Sequence, residues 1–506
     1  MSVCQSVPMG EAVGSVRYTP RERTLYRRKL QENLETFDTY LQNASFESKG
    51  TIGLELEFNL VDEHGAPALK NLDVMETLDD GDFQSEIGAY NVEVNMPISR
   101  VRDAGLKQLE KGLDERIAKL RTAAREHGVD PVAIGTLPTV TTELLEDERW
   151  ITPENRYRAL STAVVEARGE YVGIDLSRED HYAHDFTDIA PESTCTSMQL
   201  HLQVAPNRFA DAWNASQAIA GVQIAMAANS PLFVGHRLWH ESRLPVFAQS
   251  IDTRTPELVH QGVRPRVWFG ERWITSVFDL FEENVQFFPP LLPETREASG
   301  RPILTDNGTP YLHELNLHNG TVWRWNRPIY APGKRNAHIR IENRILPAGP
   351  TTVDMIADAA FYYGLIAFLV RENRPVWSRM TFAEAAENFE SGARDGIGAR
   401  MTWPRHGTLD VTELVLETLA PHAREGLEEL EVDDDVIDEY IGIYEARART
   451  GRNGAWWQRK ALDAFAGRAP VGSDERNEAL HKLVRLYTEN QQTGKPVHTW
   501  ELPDEE

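Results

Sequence analysis

Two glutamates stand two residues apart inside an otherwise apolar run, Gly53-Leu54-Glu55-Leu56-Glu57-Phe58-Asn59-Leu60. A strand repeats every two residues, so Glu55 and Glu57 project from one face while Leu54, Leu56 and Phe58 line the other. Two unpaired carboxylates on one buried face repel each other and lose their hydration. A divalent cation removes that cost, and Mg²⁺ is a hard ion that takes oxygen ligands and shares them with substrate phosphates. The run therefore predicts a strand with one core face and one cation-binding face.

Three more segments repeat the pattern. Phe83 to Asn95 carries Glu86 and Glu93, whose odd separation would put them on opposite faces of a straight strand. A break or bulge at Gly88 is needed to bring both to one site, and glycine is where such bends occur. Thr196 to Val204 aims Ser197, Gln199, His201 and Gln203 one way and Met198, Leu200, Leu202 and Val204 the other. His338 to Ile345 does the same with His338, Arg340, Glu342 and Arg344 against mostly isoleucine. Its arginines suit bidentate binding of phosphate or carboxylate, and Glu342 could join a metal. Taken singly, each segment is most simply a solvated sheet face or a cross-strand ion-pair ladder. One curved sheet around a metal-nucleotide site accounts for all four together.

The bulk numbers narrow the partners. With 506 residues, the chain suggests one large catalytic unit plus an appended or interleaved helical part. Its 53 basic against 78 acidic residues give a net charge of −25, which disfavours nucleic acid. Small anions can still bind where arginines and metal ions reverse the field locally. Cys4 and Cys195 are the two cysteines, which argues against a disulfide framework and for a reducing cytosol. Met1 to Gly14 lacks the apolar core of a secretory signal, and Ala359 to Val370 is too short to cross a bilayer. These features predict a cytoplasmic, soluble protein without a membrane or nucleic-acid partner, and leave a homo-oligomer open. The acidic stretches at 431–435 and 501–506 read as solvated surface.

Along the chain, Thr19 and Pro20 open a helix that runs to about Leu41. Helices are expected over 103–126, 154–167 and 210–228, a short strand over 132–135, and a hairpin from 320–330 and 337–346 turning at Ala331-Pro332-Gly333-Lys334. Helical patterns predominate from Thr351 onward. The expected organisation is an N-terminal helical segment (1–47), a catalytic domain (48–350) and a mostly helical C-terminal part (351–506) that could pack on the catalytic sheet. His181-Tyr182-Ala183-His184-Asp185 has the composition of a metal cluster but reads as a charged surface loop, and Gly396-Ile397-Gly398 reads as a turn. No phosphate loop or nucleophile elbow occurs, so any nucleotide must be held by metals, arginines and the sheet.

The ordered set Gly-Leu-Glu-Leu-Glu-Phe at 53–58, Glu-Ile-Gly-Ala-Tyr-Asn-Val-Glu-Val-Asn at 86–95, Asn-Ser-Pro at 229–231, Asn-Gly-Thr-Val-Trp-Arg-Trp-Asn-Arg-Pro at 319–328 and Arg-Ile-Glu-Asn-Arg at 340–344 resembles the bacterial glutamate–cysteine ligase family 2, the carboxylate-amine ligases. The resemblance implies an α+β, glutamine-synthetase-like catalytic fold: an antiparallel β-sheet curved into a funnel, with helices packed outside and a helical C-terminal part. It also implies ATP as co-substrate and two or three Mg²⁺ ions, with Mn²⁺ as a substitute. Carried over by position, the metal residues are Glu55, Glu57, Glu86, Glu93 and Glu342, with His201 added from the third strand. The family often has His-x-His there, whereas this chain has Gln199-Leu200-His201, which leaves open whether Gln199 or His201 touches metal. Arg344 and Arg340 are the candidate catalytic residues, Arg344 gripping a substrate carboxylate or the transferring phosphoryl group. Arg327, Arg243, Gln199 and Gln203 are candidate ATP or substrate contacts.

The activity so implied is an ATP- and Mg-dependent ligase that forms γ-glutamylcysteine through γ-glutamyl phosphate, the first step toward glutathione or related thiols. Two alternatives stay open: the same chemistry with ammonia or another amine, and a non-catalytic sensor of nucleotide or amino acid. A metal-dependent amidohydrolase would be expected to use more histidine ligands. Cys195 borders the polar strand and reads as a buried structural thiol.

Overall fold

The Glu55/Glu57 run forms β1 (Ile52–Val61), the strand around which the main sheet is built. This is a computed structural model, and it describes residues 17–296, 303–306, 308–333 and 336–503. Cys4, the Met1 to Gly14 stretch, Lys334 of the expected turn and the closing 504–506 lie outside the described residues. The other strands of the sheet are β2 (Phe83–Ser85), β3 (Asn91–Asn95), β4 (Asp130–Val132), β5 (Met198–Val204), β6 (Asn326–Ala331) and β7 (His338–Asn343). They run in the order β6-β7-β5-β1-β3-β2, with β4 added alongside β1, and all pairs are antiparallel. The sheet curls into a half-barrel, as the α+β expectation requires.

Alternation then sorts the side chains. Leu54, Leu56, Phe58, Val92, Val94, Met198, Leu200, Ile339 and Ile341 face the helices and are at most 1% exposed. Burying each contributes about 1.5–3 kcal/mol, so a register slip of one residue would exchange this face for carboxylates and guanidinium groups.

Three helices fix the back of the sheet. Pro20–Asn43 starts at a capping box in which Thr19 and Glu22 each satisfy the other's backbone N–H, and it buries Tyr26, Leu30, Leu34 and Phe37. Pro206–Ala227 is buried almost all round, as its alanine-rich sequence allows. Thr352–Leu369 begins at Thr351, whose side chain accepts from the Asp354 N–H at 3.3 Å. Its Tyr363 hydroxyl donates to the His201 carbonyl at 3.1 Å, so this helix is pinned to the strand that carries the site. Among the described residues it is the helix long and apolar enough to cross a membrane, yet 83% of that stretch is buried within the protein, which accounts for its composition. Helix Ala420–Glu429 packs so closely on it that a Cβ at Gly426 would lie 1.8 Å from the Gly364 carbonyl oxygen, so only glycine fits there.

Several local expectations shift. The expected hairpin exists as β6 and β7, but Trp323–Arg324 leaves it to pair in parallel with Val267–Trp268. The 181–185 segment is not a loop: His181–Phe186 is a strand antiparallel to Val172–Ser177, with Tyr182 and Phe186 turned inward. His181, Ala183 and Asp185 form the solvent face of that hairpin, while His184 lies part-buried against Phe186 on the inner side. The short strand expected over 132–135 lies at 130–132, and helix Gly454–Ala466, started by the Asn453 side chain, adds to the C-terminal part.

Candidate active site

Cross-strand register converts the four sequence segments into rows on one face. Gln84, Glu93 and Glu57 align across β2, β3 and β1. Asn95, Glu55 and Gln199 form the next row, and Gly53, His201, Glu342 and Arg327 the one after it. Gln203 lies opposite Arg340. Directly paired residues share a face, so these side chains crowd into one cleft.

The odd spacing of Glu86 and Glu93 is resolved by a turn. Asn91 N–H donates to the Gly88 carbonyl at 2.8 Å, and β2 and β3 form an antiparallel pair around it. The register this turn sets pairs Gln84 with Glu93, residues of odd separation, so Glu86, two residues on from Gln84, follows on the same side as Glu93. A Cβ at Gly88 would lie 2.0 Å from Asn91 Oδ1, which restricts the position to glycine.

One half of the cleft is anionic. Glu57 is held by Ser197, whose N–H donates at 2.6 Å and hydroxyl at 3.2 Å, and by the Gln199 amide at 3.1 Å. Burial raises the Glu57 pKa in spite of Arg344 and the Ser197 bonds. Burial and the neighbouring Glu57 push Glu86 up to about 8. Glu93 is held well above the carboxylate range by burial and by Glu55, Glu86 and Glu57. Gln84 and Asn95 both donate to its Oε1, Asn95 at 2.9 Å.

The other half is cationic. Arg327 clamps Glu342 with two bonds, Nε to Oε2 at 2.6 Å and Nη2 to Oε1 at 3.0 Å, and Arg344 approaches Oε2 at 3.3 Å. Burial opposes ionisation of Glu342, but Arg327 and Arg344 outweigh it and hold its pKa below the usual range. Arg344 also donates to the Gln199 carbonyl. The side chains of Glu55 and Arg344 keep 16% and 13% exposure, so solvent reaches the junction between the two halves.

His201 sits at that junction. Arg340 Nε donates to His201 Nδ1 at 3.0 Å, which leaves the ring proton on Nε2, 3.0 Å from Glu55 Oε1. Burial works to raise the Glu55 pKa, but His201 and Arg340 outweigh it and lower it. Possible ligand atoms of Glu55, His201 and Glu342 lie within 4.8 Å of one another. In this tautomer, however, His201 donates to Glu55, and it would have to move its proton to present Nε2 to a metal. Gln199 is engaged on both atoms of its amide, between Glu57 and Arg344.

Among the described residues, donors reach only one oxygen each on Glu55, Glu86 and Glu93: Oε1 facing His201, Oε2 facing the Ile87 N–H at 3.3 Å, and Oε1 facing Gln84 and Asn95. A set of carboxylate oxygens short of positive charge fits a hard divalent cation. The shifts also fix a pH dependence. The folded protein keeps protons on Glu86 and Glu93 that the unfolded chain releases near pH 4.5, so these groups lower stability as pH rises from about 4.5 through about 8. A divalent cation held by the ionised carboxylates would oppose that loss. Thermal unfolding should therefore show a larger Mg²⁺-induced rise in Tm at about pH 8 than at about pH 5.5. Equal rises at both would detach cation binding from these glutamates.

Two of the expected residues are engaged elsewhere. Gln203 Oε1 accepts from the Lys49 N–H at 2.8 Å and the Thr51 hydroxyl at 3.2 Å, anchoring the entry to β1. Arg243 is buried with Nε on Glu241 at 2.9 Å and Nη2 on the Ile345 carbonyl, from where its charge still bears on Glu57. Glu192, not among the expected residues, lies near enough to feel Glu86, Glu57 and Arg344, and burial with the two glutamates pushes its carboxyl up to about 8. It lies on the 3-10 turn Ala190–Thr194 just before β5, where no period-two pattern marks it.

A family model described as glutamate-cysteine ligase family 2 matches residues 51–486. Among solved structures, the fold is similar to a glutamate–cysteine ligase from Francisella tularensis in complex with AMP, with a TM-score of 0.50, 11% identity, and coverage of 90% of this chain and 91% of that one. A bifunctional glutathione synthetase from Pasteurella multocida aligns at TM-score 0.46 and 11% identity, over 87% of this chain and 52% of its own. No curated protein matches by sequence.

Proposed function

The chain belongs to glutamate-cysteine ligase family 2, and from that premise we propose an ATP-dependent carboxylate–amine ligase that joins the γ-carboxyl of glutamate to the amine of cysteine. The observation that carries this reading is the apposition, on one sheet face, of a carboxylate bank short of positive charge and an arginine bank. A phosphoryl transfer between two anions needs both.

In this reading Glu55, Glu57, Glu86, Glu93 and Glu342 would hold Mg²⁺, or Mn²⁺ in its place. When bound, the ions would neutralise the β- and γ-phosphates of ATP and share their oxygens with them. Arg344, at the junction that solvent reaches, grips the glutamate carboxylate or the transferring phosphoryl group. Arg340 positions His201, and His201 orients Glu55. Arg327 acts through Glu342 rather than on phosphate directly, and Gln203 and Arg243 take supporting roles as anchors of the 49–51 segment and of the strand end at Ile345.

The chemistry is balanced without a protein nucleophile. A γ-carboxylate oxygen of glutamate attacks the γ-phosphorus, ADP leaves, and γ-glutamyl phosphate forms. The cysteine amine then attacks the acyl carbon, phosphate leaves and a proton is released. Loose phosphoryl transition states gain mainly from positioning and charge neutralisation, which guanidinium groups held by buried carboxylates supply.

The test is phosphate release from ATP and Mg²⁺ with glutamate, with and without cysteine, the product read by mass. Cysteine-dependent release matched by γ-glutamylcysteine is expected. Release with glutamate but another amine would keep the ligase and change its acceptor. No release with any amine would overturn the reading in favour of a binding protein.

A further inference from the structure

Helix Asp474–Gln492 sends two side chains into the backbone that flanks the start of β5. Gln491 pairs with Ala133 as a strand would: its Oε1 accepts from the Ala133 N–H at 3.1 Å and its Nε2 donates to the Ala133 carbonyl at 2.8 Å. The second Nε2 hydrogen goes to the Pro350 carbonyl. One turn earlier, the buried Tyr487 hydroxyl also donates to the Ala133 carbonyl, at 3.0 Å, and accepts from Asn229 Nδ2 at 2.9 Å. Asn229 opens the Asn-Ser-Pro motif, and its other amide hydrogen reaches the Ala348 carbonyl at 2.7 Å. Both hydrogens of each amide are therefore committed, and together they tie Ala133 to Ala348 and Pro350. The two segments touch at this point: a Cβ at Gly349 would lie 2.2 Å from the Ala133 carbonyl oxygen and 2.8 Å from the Tyr487 hydroxyl.

These segments are the neighbours of β5 at the end that carries Ser197. On one side the Thr196 N–H donates to the Gly135 carbonyl at 3.1 Å, and the Thr196 hydroxyl to the Ile134 carbonyl. On the other the Met198 N–H donates to the Leu346 carbonyl at 3.0 Å, and the Ala348 N–H to the Thr196 carbonyl at 3.3 Å. Ser197 lies between them and holds Glu57, whose own N–H donates to the Ser197 carbonyl at 3.0 Å. Arg344, two residues before Leu346, donates to Gln199. The spacing of 133–135 from 346–350 thus bears directly on where Glu57, Gln199 and Arg344 stand relative to one another.

We propose that Gln491 and Tyr487, acting with Asn229, are positioning residues for the reaction: they clamp the two segments that flank Thr196–Ser197 and so hold the Glu57–Gln199–Arg344 junction between the acidic and cationic banks. None of the three touches substrate. The reaction served is the ligase reading above, on which the proposal rests. Hydrogen bonds are demanding in distance and angle, and reacting groups misplaced by about 1 Å can cost on the order of 10²-fold in rate, so a clamp this far along the chain can govern turnover.

The test uses the full-length protein with Gln491→Ala, Tyr487→Phe and both together. Leu120→Ala, in helix Gly105–Glu126, is the control, since it removes core packing and none of these hydrogen bonds. Hydrogen exchange below the melting temperatures reads the geometry: amides of 195–199 should exchange about 10-fold faster or more in the double variant, with those of β3 and β6 unchanged. Phosphate release reads the consequence: kcat should fall about 10-fold or more while the KM for ATP stays within about twofold, and the control should keep the wild-type kcat. Tyr487→Phe alone should give the smaller effect, because Gln491 still holds the Ala133 carbonyl. Unchanged exchange at 195–199 would overturn the clamp, as would a loss of kcat that Leu120→Ala reproduces at the same melting temperature. If the wild-type protein releases no phosphate with any amine, the ligase reading fails, and the exchange pattern by itself decides whether the clamp holds the junction.

Discussion

Arg327→Ala is expected to cost about 3–5 kcal/mol of stability, because it removes a fully buried guanidinium from a carboxylate that stays buried. Arg327 and Glu342 expose 0% and 3% of their side chains, and their two-point contact is the tightest charge pairing in the cleft. Arg344 remains near Glu342 but reaches a single oxygen, so it compensates in part only. Lysine should rescue little, since a point charge cannot reproduce the planar fork. The pH dependence has a definite sign. The folded pKa of Glu342 is depressed, so its contribution is present above about pH 4.5 and is lost as pH falls below that. The gap between wild type and variant should therefore be widest near neutrality and narrow on acidification. Urea midpoints measured across that range check this, and a loss under about 1 kcal/mol at neutral pH would refute it.

Glu93→Gln should move stability and activity in opposite directions. Glu93 is buried among Glu55, Glu86 and Glu57, and Gln84 and Asn95 donate to one of its oxygens. A neutral amide of the same shape relieves the repulsion, so the metal-free variant should unfold at a higher temperature than wild type. The same change removes a carboxylate from the proposed cation site, and ATP-dependent phosphate release should fall about 10²-fold or more. Mn²⁺ titration should show weaker binding. This is the trade expected where a protein keeps a destabilising cluster for function. A lower melting temperature, or unchanged release, would count against the site.

Most of this arrangement was legible because strand periodicity is a local signal. The alternation in 53–60, 196–204 and 338–345 assigns each side chain to a face before any partner strand is known, and Gly88 flagged the turn that brings Glu86 and Glu93 together. Pairing and hydrogen-bond commitments are not local. Nothing in Gln203 or its neighbours announces that its carbonyl is taken by Lys49 and Thr51, more than 150 positions upstream. Arg243 likewise looks available until Glu241 and the Ile345 carbonyl are seen to occupy it. Glu192 went unnoticed because a 3-10 turn has no period of two, and Pro191 and Thr194 around it read as ordinary connection. In 181–186, attention to the histidines hid the Tyr182 and Phe186 alternation that makes a strand.

The strand order sets a schedule for synthesis. β5 is flanked by β1, made long before it, and by β7, made long after it, and the arginines of β6 and β7 arrive last. A chain still on the ribosome with residues 52–204 exposed carries the acidic bank without its guanidinium partners and the apolar back of the sheet with only the first of its covering helices, Pro20–Asn43, already made. The helix that completes that cover, Thr352–Leu369, follows β7 by a few residues. Closure of the sheet and shielding of its back are therefore nearly simultaneous and late, and until then the nascent chain presents a sticky, half-paired surface of the kind that chaperones bind.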